Sequence, residues 1–178
     1  MRKHLSAMVA ALVPVIAIAQ SAGGGGVSVL YKEPTYQLLA QHTGKRTVPD
    51  VAYNAAIDGG VLAVWSSSGQ GAGLVFRFGG TSAGSPQWAG LVALTDQLKR
   101  GRVGSLNSAL YGLAVVKPIY GAEFHDVTTG DNSYNDGQQT IAGYSAGTGY
   151  DLATGLGTPK AQYLVPSLAV MSRDVVLG

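Results

Sequence analysis

The chain has 178 residues and a mass of 18.2 kDa, which is the size of one compact domain. Charged residues make up 12% of the sequence and hydrophobic residues 46%, which excludes a charge-rich disordered chain and a coiled coil. The net charge of +2 is too small to indicate a nucleic-acid partner, and the lack of cysteine excludes disulfides and thiolate chemistry. The 26 glycines have no collagen-like period, so they predict tight turns and close backbone approaches.

Residues 1–19 have the three parts of a secretory signal peptide. A short basic start precedes the uncharged run Leu5–Ala19, which ends in a small-x-small cleavage pattern. The alternatives are a membrane anchor or a buried helix. The run is shorter than the roughly 20 residues that span a bilayer, and Pro14 interrupts it. We therefore expect a secreted or periplasmic protein with no membrane association after cleavage, whose mature domain covers residues 20–178.

The mature chain is predicted to begin with a glycine-rich segment and several strands. The run Gly23–Gly26 indicates either a linker or a loop whose backbone approaches another segment closely. The next segment, 27–41, is predicted to start extended and to become helical after Pro34. Three strands then form a small β-meander with a hairpin turn at 58–60. These strands are Val48–Tyr53, Val61–Ser66 and Ala72–Phe78.

Three helices are predicted in the second half of the chain. The longest has an apolar face at helical spacing, formed by Trp88, Leu91, Val92, Thr95 and Leu98. That face is expected to lie in the core without a cofactor, and Gly101 is expected to end the helix. Shorter helices are predicted over Leu106–Ala114 and Gln162–Val170. Residues 124–159 form a long polar segment, and a loop of that length is usually functional or disordered.

A serine stands at the turn between the last predicted strand and the long helix. In the segment FGGTSAGSP, Ser82 lies near the first helical turn, where unpaired N–H groups and the helix dipole favour negative charge. Such a position suits an attacking hydroxyl with an oxyanion site beside it, and Gly79 and Gly80 allow a substrate backbone to come close. The alternative is that Ser82 or Thr81 is an ordinary helix cap, which is the commoner role of such residues.

The same residues, 80–84, also fit the G-x-S-x-G nucleophile elbow. That elbow needs an acid and then a histidine downstream, on a parallel sheet that several βα units precede. The chain has no room for those units, and only His125 lies downstream. His42 lacks a glycine-rich context, and both histidines are more simply explained as surface residues. The elbow is therefore the weaker hypothesis.

Several motifs, in order along the chain, resemble the sedolisin family of serine-carboxyl peptidases, a branch of the subtilisin-like superfamily. They are the glycine-rich segment ending in PTYQ (21–37), VPDV (48–51), GTSAGSP (80–86), LNxxLY (106–111), FHDVTTG (124–130) and GTGYDxxTGLGTP (147–159). The resemblance covers residues 23–168. It implies an α/β fold, namely the C-terminal portion of a subtilisin-like parallel-sheet domain with a long calcium-binding loop.

The resemblance implies that Ser82 is the nucleophile of an acid-acting endopeptidase with protein or peptide substrates. In the family the base is a glutamate, supported by an aspartate four residues later, and a third acid helps form the oxyanion site. The segments that carry these acids have no counterpart in this sequence, and neither Glu33 nor Asp50 is at a base position. We therefore expect an impaired peptidase or, alternatively, a catalytically inactive calcium-binding fragment. A complementing chain that carries the missing acids would restore the first function.

The resemblance also implies a calcium site in the long segment, at Asp126, Val127, Gly147, Gly149 and Asp151. Calcium prefers six to eight oxygen ligands, and carboxylates together with backbone carbonyls are donors of that kind. The alternative is a polar loop without metal. The nearby segment 131–142 superficially resembles an EF-hand loop. It lacks glycine at the sixth position and glutamate at the twelfth, so an EF-hand is rejected.

Overall fold

The structure is a computed structural model that describes residues 24–56, 60–67, 69–70, 73–135 and 137–172. The predicted signal peptide and most of the predicted turn at 58–60 lie outside the described residues. Within these ranges, the structure contains no helix that combines the length and apolar character needed to cross a lipid bilayer.

The first sheet pairs strand β1 (Gly26–Lys32) with strand β2 (Lys45–Val48) in antiparallel orientation. A 3-10 turn at Gln37–Leu39 lies between them, so the predicted extended start and later helical turn are confirmed. The predicted strand Val48–Tyr53 is wrong, because β2 ends at Val48. The residue that follows is Pro49, which has no N–H to donate to a ladder.

The second sheet pairs strand β3 (Val61–Val64) with strand β4 (Val75–Phe78), again antiparallel. The two predicted strands of this hairpin are confirmed with shorter bounds. The predicted three-stranded meander is wrong, because β2 pairs with β1 rather than with β3. All four strand pairs among the described residues are antiparallel, so the parallel sheet expected from the resemblance is not found there.

Four α-helices follow: α1 (Thr81–Lys99), α2 (Asn107–Ala114), α3 (Lys117–Glu123) and α4 (Ala161–Met171). Helices α1, α2 and α4 confirm the three predicted helices. Helix α3 was not predicted, because it is a short segment inside which Gly121 lowers helix propensity. Its signal in the sequence is a proline in the first turn, where a missing N–H costs nothing.

The end of α1 and the burial of its apolar face differ from the prediction. The left-handed residue after the helix is Arg100, with φ of 59°, and not Gly101. Thr95 is fully buried and Trp88 is half-buried, but Leu98 is 55% exposed, so its assignment to the core is wrong. Periodicity predicts which residues share a helix face, but the elements available to cover that face decide its burial.

The main hydrophobic core lies under the second half of the chain, where α2, α4 and the long polar segment meet. Its buried members are Ala109, Leu110, Tyr111, Leu113, Phe124, Leu156, Leu164 and Leu168. The segment 124–159 supplies four short strands, and the first of them brings Phe124 into this core. They pair as β5 (Phe124–His125) with β8 (Thr158–Pro159), and as β6 (Tyr134–Asn135) with β7 (Thr140–Ile141).

Candidate functional site

Ser82 is the second residue of α1, and its side chain is exposed. The residue at the N-cap position is Gly80, with φ of 82° and ψ of 164°, and no side chain caps the helix. The capping interpretation of Ser82 and Thr81 is therefore wrong. No described residue forms a hydrogen bond with the Ser82 hydroxyl, so this group faces solvent at the N-terminal end of the helix dipole.

The start of α1 is fixed on the extended segment that follows Pro49. The Gly80 N–H donates to the carbonyl oxygen of Ala55 at 2.5 Å, and the Trp88 indole Nε1 donates to the carbonyl of Ala52 at 3.1 Å. Gly84 is buried against Tyr53, and a Cβ atom at Gly84 would lie 3.1 Å from the Tyr53 Cβ. Two hydrogen bonds and one tight contact therefore hold the position of the serine.

A cleft of about 390 Å³ opens beside Ser82. Apart from the serine and the polar Gln87, its lining residues are small or apolar: Val61, Phe78, Gly79, Ala83 and Pro86. The Gln87 side chain is held in place, because its Nε2 donates to the carbonyl of Ala83 at 2.8 Å. The cleft therefore has the chemical character to accept an apolar side chain next to the serine hydroxyl.

The candidate bases that the sequence offers lie elsewhere in the fold. Glu33 accepts a hydrogen bond at Oε2 from the Gly44 N–H at 2.8 Å, in the turn between β1 and β2. His42 and His125 are both exposed, and His125 belongs to strand β5. None of these side chains is hydrogen bonded to Ser82. Among the described residues, no candidate base is therefore hydrogen bonded to the serine.

Asp50 is the acid of the VPDV motif, and its carboxylate is held in a polar network. Arg46 contacts its Oδ2 at 2.5 Å, the Tyr111 hydroxyl donates to its Oδ1 at 2.9 Å, and the Asn107 side chain donates to Oδ2 at 3.3 Å. The Tyr111 hydroxyl in turn accepts a hydrogen bond from Gln37 Nε2 at 2.8 Å. Asp50 is therefore a structural residue, and its contacts anchor the segment that supports α1.

Sequence reasoning missed the roles of Gln37 and Tyr111, although each stands in a quoted motif. Both are fully buried, and burial raises the pKa of Tyr111, so its hydroxyl stays protonated and donates. The Gln37 side chain also accepts from the Thr47 N–H at 3.0 Å and donates to the Thr47 carbonyl at 2.8 Å. The sequence did contain a signal for these roles, because each motif, PTYQ and LNxxLY, ends in a residue whose side chain can form hydrogen bonds.

The fold brings the predicted calcium residues together at one end of the core. The Gly149 N–H donates to Asp126 Oδ2 at 2.8 Å, and the Gly147 N–H donates to Asp151 Oδ2 at 2.8 Å. Val127 is buried directly after Asp126. Gly149 has φ of 82°, which favours glycine, whereas Gly147 has open space around it and no such constraint.

The two aspartates differ in how completely their oxygens are satisfied. Asp151 Oδ1 accepts from the N–H groups of Ala153 and Thr154, at 2.9 Å and 2.7 Å. Asp126 Oδ1 is buried and has no hydrogen-bond partner among the described residues. The neighbouring Tyr120 hydroxyl is also buried and without such a partner there. Burial raises the pKa of Tyr120, and the interaction of its hydroxyl with the Asp126 side chain, together with the charges of Asp126 and Asp151, raises it further.

These residues fit a calcium ion. An unpartnered buried carboxylate oxygen is costly unless a cation or a proton donor satisfies it, and both aspartates offer the hard oxygen donors that calcium selects. No group of three or more His, Cys, Asp or Glu side chains that could hold a metal occurs in the described ranges. A calcium ion here would therefore draw its other ligands from backbone carbonyls and water.

Close backbone approaches fix the loop that carries Asp151. A Cβ atom on Gly155 would lie 2.4 Å from the carbonyl carbon of Asp50, and one on Gly157 would lie 2.3 Å from the carbonyl oxygen of His125. A Cβ on Gly25 would overlap the Leu152 carbonyl oxygen at 1.7 Å. The backbone of the glycine-rich start therefore passes close to another segment at Gly25, which is one of the two predicted roles.

The rejected EF-hand segment contains the β6–β7 hairpin, and Asn132 ties it to the rest of the fold by donating to the Leu152 carbonyl at 3.4 Å. Asp131 Oδ1 accepts from the Ser133 N–H at 2.8 Å, and Asn135 Oδ1 accepts from the Gly137 N–H at 2.7 Å. The hydrogen bonds from Ser133 lower the pKa of Asp131. These side chains serve local turns at the ends of strands β6 and β7.

Comparisons with known proteins agree with the motifs. The chain is 35% identical over 137 residues to xanthomonalisin of Xanthomonas sp. (strain T-22), covering 77% of this chain and 15% of that protein. It is 33% identical to sedolisin of Pseudomonas sp. (strain 101), covering 77% and 21%. It is 37% identical to kumamolisin of Bacillus sp. (strain MN-32), covering 82% and 25%. No protein-family model matches.

The fold agrees with a solved relative. The structure of Pseudomonas sedolisin, a serine-carboxyl proteinase complexed with two molecules of pseudo-iodotyrostatin, matches with a TM-score of 0.66 and 30% sequence identity. The match covers 84% of this chain and 37% of that chain. The chain thus spans a quarter or less of the length of these curated relatives. Over about four fifths of its own length, it is a homologue of the sedolisin family of serine-carboxyl peptidases.

Proposed function

We propose that this chain carries the nucleophile of a sedolisin-type endopeptidase, with Ser82 attacking the scissile carbonyl of a protein or peptide substrate. The observation that carries the proposal is the position of Ser82. Its hydroxyl is exposed in the first turn of α1, at the edge of an apolar cleft, and no described residue hydrogen bonds to it. The family relation supports peptide substrates.

The chemistry that the chain supplies is incomplete without a base. The N-terminal turn of α1 provides amide donors and a favourable dipole for a developing oxyanion. A serine hydroxyl is nevertheless a weak nucleophile until a neighbouring group accepts its proton. Glutamate or aspartate performs that role in acid, where histidine is protonated. Because the described residues place no carboxylate against Ser82, the chain alone should be strongly impaired.

The first test is the hydrolysis of an unfolded protein substrate between pH 3 and 8, with the wild type, Ser82→Ala and Ser85→Ala. Ser85 is the matched control, since it is an exposed serine on the same helix. The peptidase proposal expects slow hydrolysis with an acid maximum that Ser82→Ala abolishes and Ser85→Ala retains. Equal hydrolysis by the wild type and Ser82→Ala would overturn it. Absence of hydrolysis by protein that circular dichroism shows to be folded selects the second function.

The second candidate function is calcium binding without turnover, and the unpartnered Asp126 Oδ1 favours it. Asp126 and Asp151 would hold the ion with their carboxylates. Val127, Gly147 and Gly149 would contribute backbone carbonyls. Bound calcium supplies a positive charge that neutralises the two aspartates and cross-links segments 126–127 and 147–151. The site would therefore stabilise the fold in either functional hypothesis.

Thermal unfolding with calcium or magnesium chloride tests the metal site. Calcium should raise the unfolding temperature of the wild type, because a ligand at 100 times its Kd adds about 2.7 kcal/mol to stability. Asp126→Asn should remove most of that increase. Asp131→Asn is the matched control, since Asp131 lies on the same long segment but serves a local turn. Equal calcium responses in the two variants would contradict the site.

A further inference from the structure

Helix α3 brings a third segment of the chain to the predicted calcium residues. Tyr120 lies on this helix, and its ring stacks on Phe124, with 5.6 Å between the ring centroids and 27° between the ring planes. Phe124 is 1% exposed and lies two residues before Asp126. The aromatic pair therefore holds Tyr120 beside the segment that carries Asp126.

The Tyr120 hydroxyl and the Asp126 carboxylate are complementary groups that both lack a partner. The hydroxyl oxygen and Asp126 Oδ1 are buried, and no described residue completes a hydrogen bond with either atom. The hydroxyl nevertheless interacts with the Asp126 side chain and lies in the electrostatic field of Asp151. A phenol can donate one hydrogen bond and a carboxylate oxygen accepts. Two such groups are costly to bury unless they are satisfied.

The hydrogen bonds of the loop leave one carboxylate oxygen open for this hydroxyl. Asp126 Oδ2 already accepts from the Gly149 N–H at 2.8 Å. Both oxygens of Asp151 accept from backbone N–H groups of their own loop. Asp126 Oδ1 is thus the oxygen of these two aspartates that has no donor among the described residues, and Tyr120 is the side chain that interacts with Asp126 from outside the five predicted ligands.

We propose that Tyr120 is a positioning residue of the calcium site, and that its hydroxyl donates a hydrogen bond to Asp126 Oδ1 when the ion is bound. This role rests on the calcium-binding function proposed above. A carboxylate that holds a metal is commonly oriented by a hydrogen bond from a group that is not itself a ligand. A carboxylate oxygen has lone pairs for a metal and for a donor, so the hydroxyl and the ion can share Asp126.

Calorimetric titration of the full chain with calcium chloride tests the role of the hydroxyl. Tyr120→Phe keeps the ring that stacks on Phe124 and removes only the hydroxyl. It should raise the Kd for calcium at least about tenfold, which is the usual effect of losing a group that orients a metal ligand. Tyr134→Phe is the matched control, since Tyr134 is 48% exposed on β6, and it should bind calcium like the wild type.

Two further measurements separate positioning from a purely structural role. In calcium-free buffer, Tyr120→Phe should resist urea at least as well as the wild type, because it loses a buried hydroxyl that has no hydrogen bond. In calcium, the tyrosine absorption of the wild type should shift to longer wavelength, because a phenol that donates to a carboxylate absorbs further to the red. The shift should persist in Tyr134→Phe and disappear in Tyr120→Phe.

The outcomes distinguish failure of this role from failure of the calcium site. Calcium binding that Tyr120→Phe leaves unchanged would overturn the role of Tyr120 alone. So would lower calcium-free stability of that variant, since the hydroxyl would then be a structural group. The absorption of ionised tyrosine on calcium binding would also overturn it, because the hydroxyl would be a ligand that has lost its proton. Absence of calcium binding by the folded wild type would overturn both the site and the role.

Discussion

Two regions of the molecule carry the two candidate functions, and they differ in how fully this chain covers them. The core region, formed by α2, α4 and the loop 147–157, buries Leu156, Leu164 and Leu168 almost completely. The hairpin region, formed by β3, β4 and the start of α1, leaves Leu62 and Val64 mostly exposed. The predicted calcium loop thus lies on a buried core, while the serine lies beside strands whose apolar residues are largely exposed.

The comparison shows that a family motif can be present in a region whose packing is less complete than that of the core. The serine motif and the predicted calcium motif are both present, and hydrogen bonds between distant residues hold each of them. Only the segment of the predicted calcium residues contributes buried side chains to the hydrophobic core. A motif therefore identifies a relative, while the surrounding contacts decide how much of its chemistry can operate.

The largest expected contrast comes from equal truncations in the two regions. Leu164→Ala should lower the free energy of unfolding by about 3 kcal/mol, because it leaves a cavity in a packed core. Leu62→Ala should change it by less than about 0.5 kcal/mol, because Leu62 is already exposed. Urea denaturation of both variants measures the difference. Similar losses would mean that the hairpin is packed like the core.

Two glycines with similar backbone angles sharpen the comparison. Gly155 has φ of 61° and backbone within 2.4 Å of an added Cβ, whereas Gly73, before β4, has φ of 75° and nothing within 4 Å. Gly73→Ala should cost about 1 kcal/mol for the left-handed conformation alone. Gly155→Ala should cost at least about 2 kcal/mol more, because the backbone of Asp50 must move. Equal unfolding free energies for the two variants would contradict the close packing of the loop.

A smaller effect is expected from the network around Asp50. Tyr111→Phe removes a buried hydroxyl that accepts from Gln37 and donates to Asp50, and it should cost about 1 kcal/mol. Tyr163→Phe is the matched control, since Tyr163 is 53% exposed on α4 and should give no measurable change. Chemical denaturation of both variants tests whether the network holds the segment under α1.

The smallest expected effect is a pH dependence in the core region. Burial raises the pKa of Glu123, and the Ser167 hydroxyl partly offsets this shift. The folded state then binds a proton more tightly than the unfolded state. Its contribution is therefore fully present below the ordinary glutamate pKa of about 4.3 and is lost as pH rises through the raised value. Between pH 3 and 8, the free energy of unfolding should fall less steeply with rising pH for Glu123→Gln than for the wild type. An unchanged slope would exclude Glu123 as the cause.

The amino-acid sequence by itself determined the three longer helices, the two strands of the hairpin and the place of Ser82 in the first turn of α1. It also identified the family, because the motifs are local strings of residues. Each of these features depends on spacing within a few residues, such as the helical period that contains Trp88 or the glycines before Ser82. The same local information assigned Leu98 to a core that does not cover it.

Only the tertiary structure decided which residues meet across the fold. Gln37 and Tyr111 are 74 positions apart, and their hydrogen bond depends on how the chain returns to the same core. The pairing of β2 with β1 and the close approach of Gly25 to the Leu152 carbonyl likewise depend on partners outside each segment. Periodicity records which side chains share a face, but burial and hydrogen bonding depend on what packs against that face.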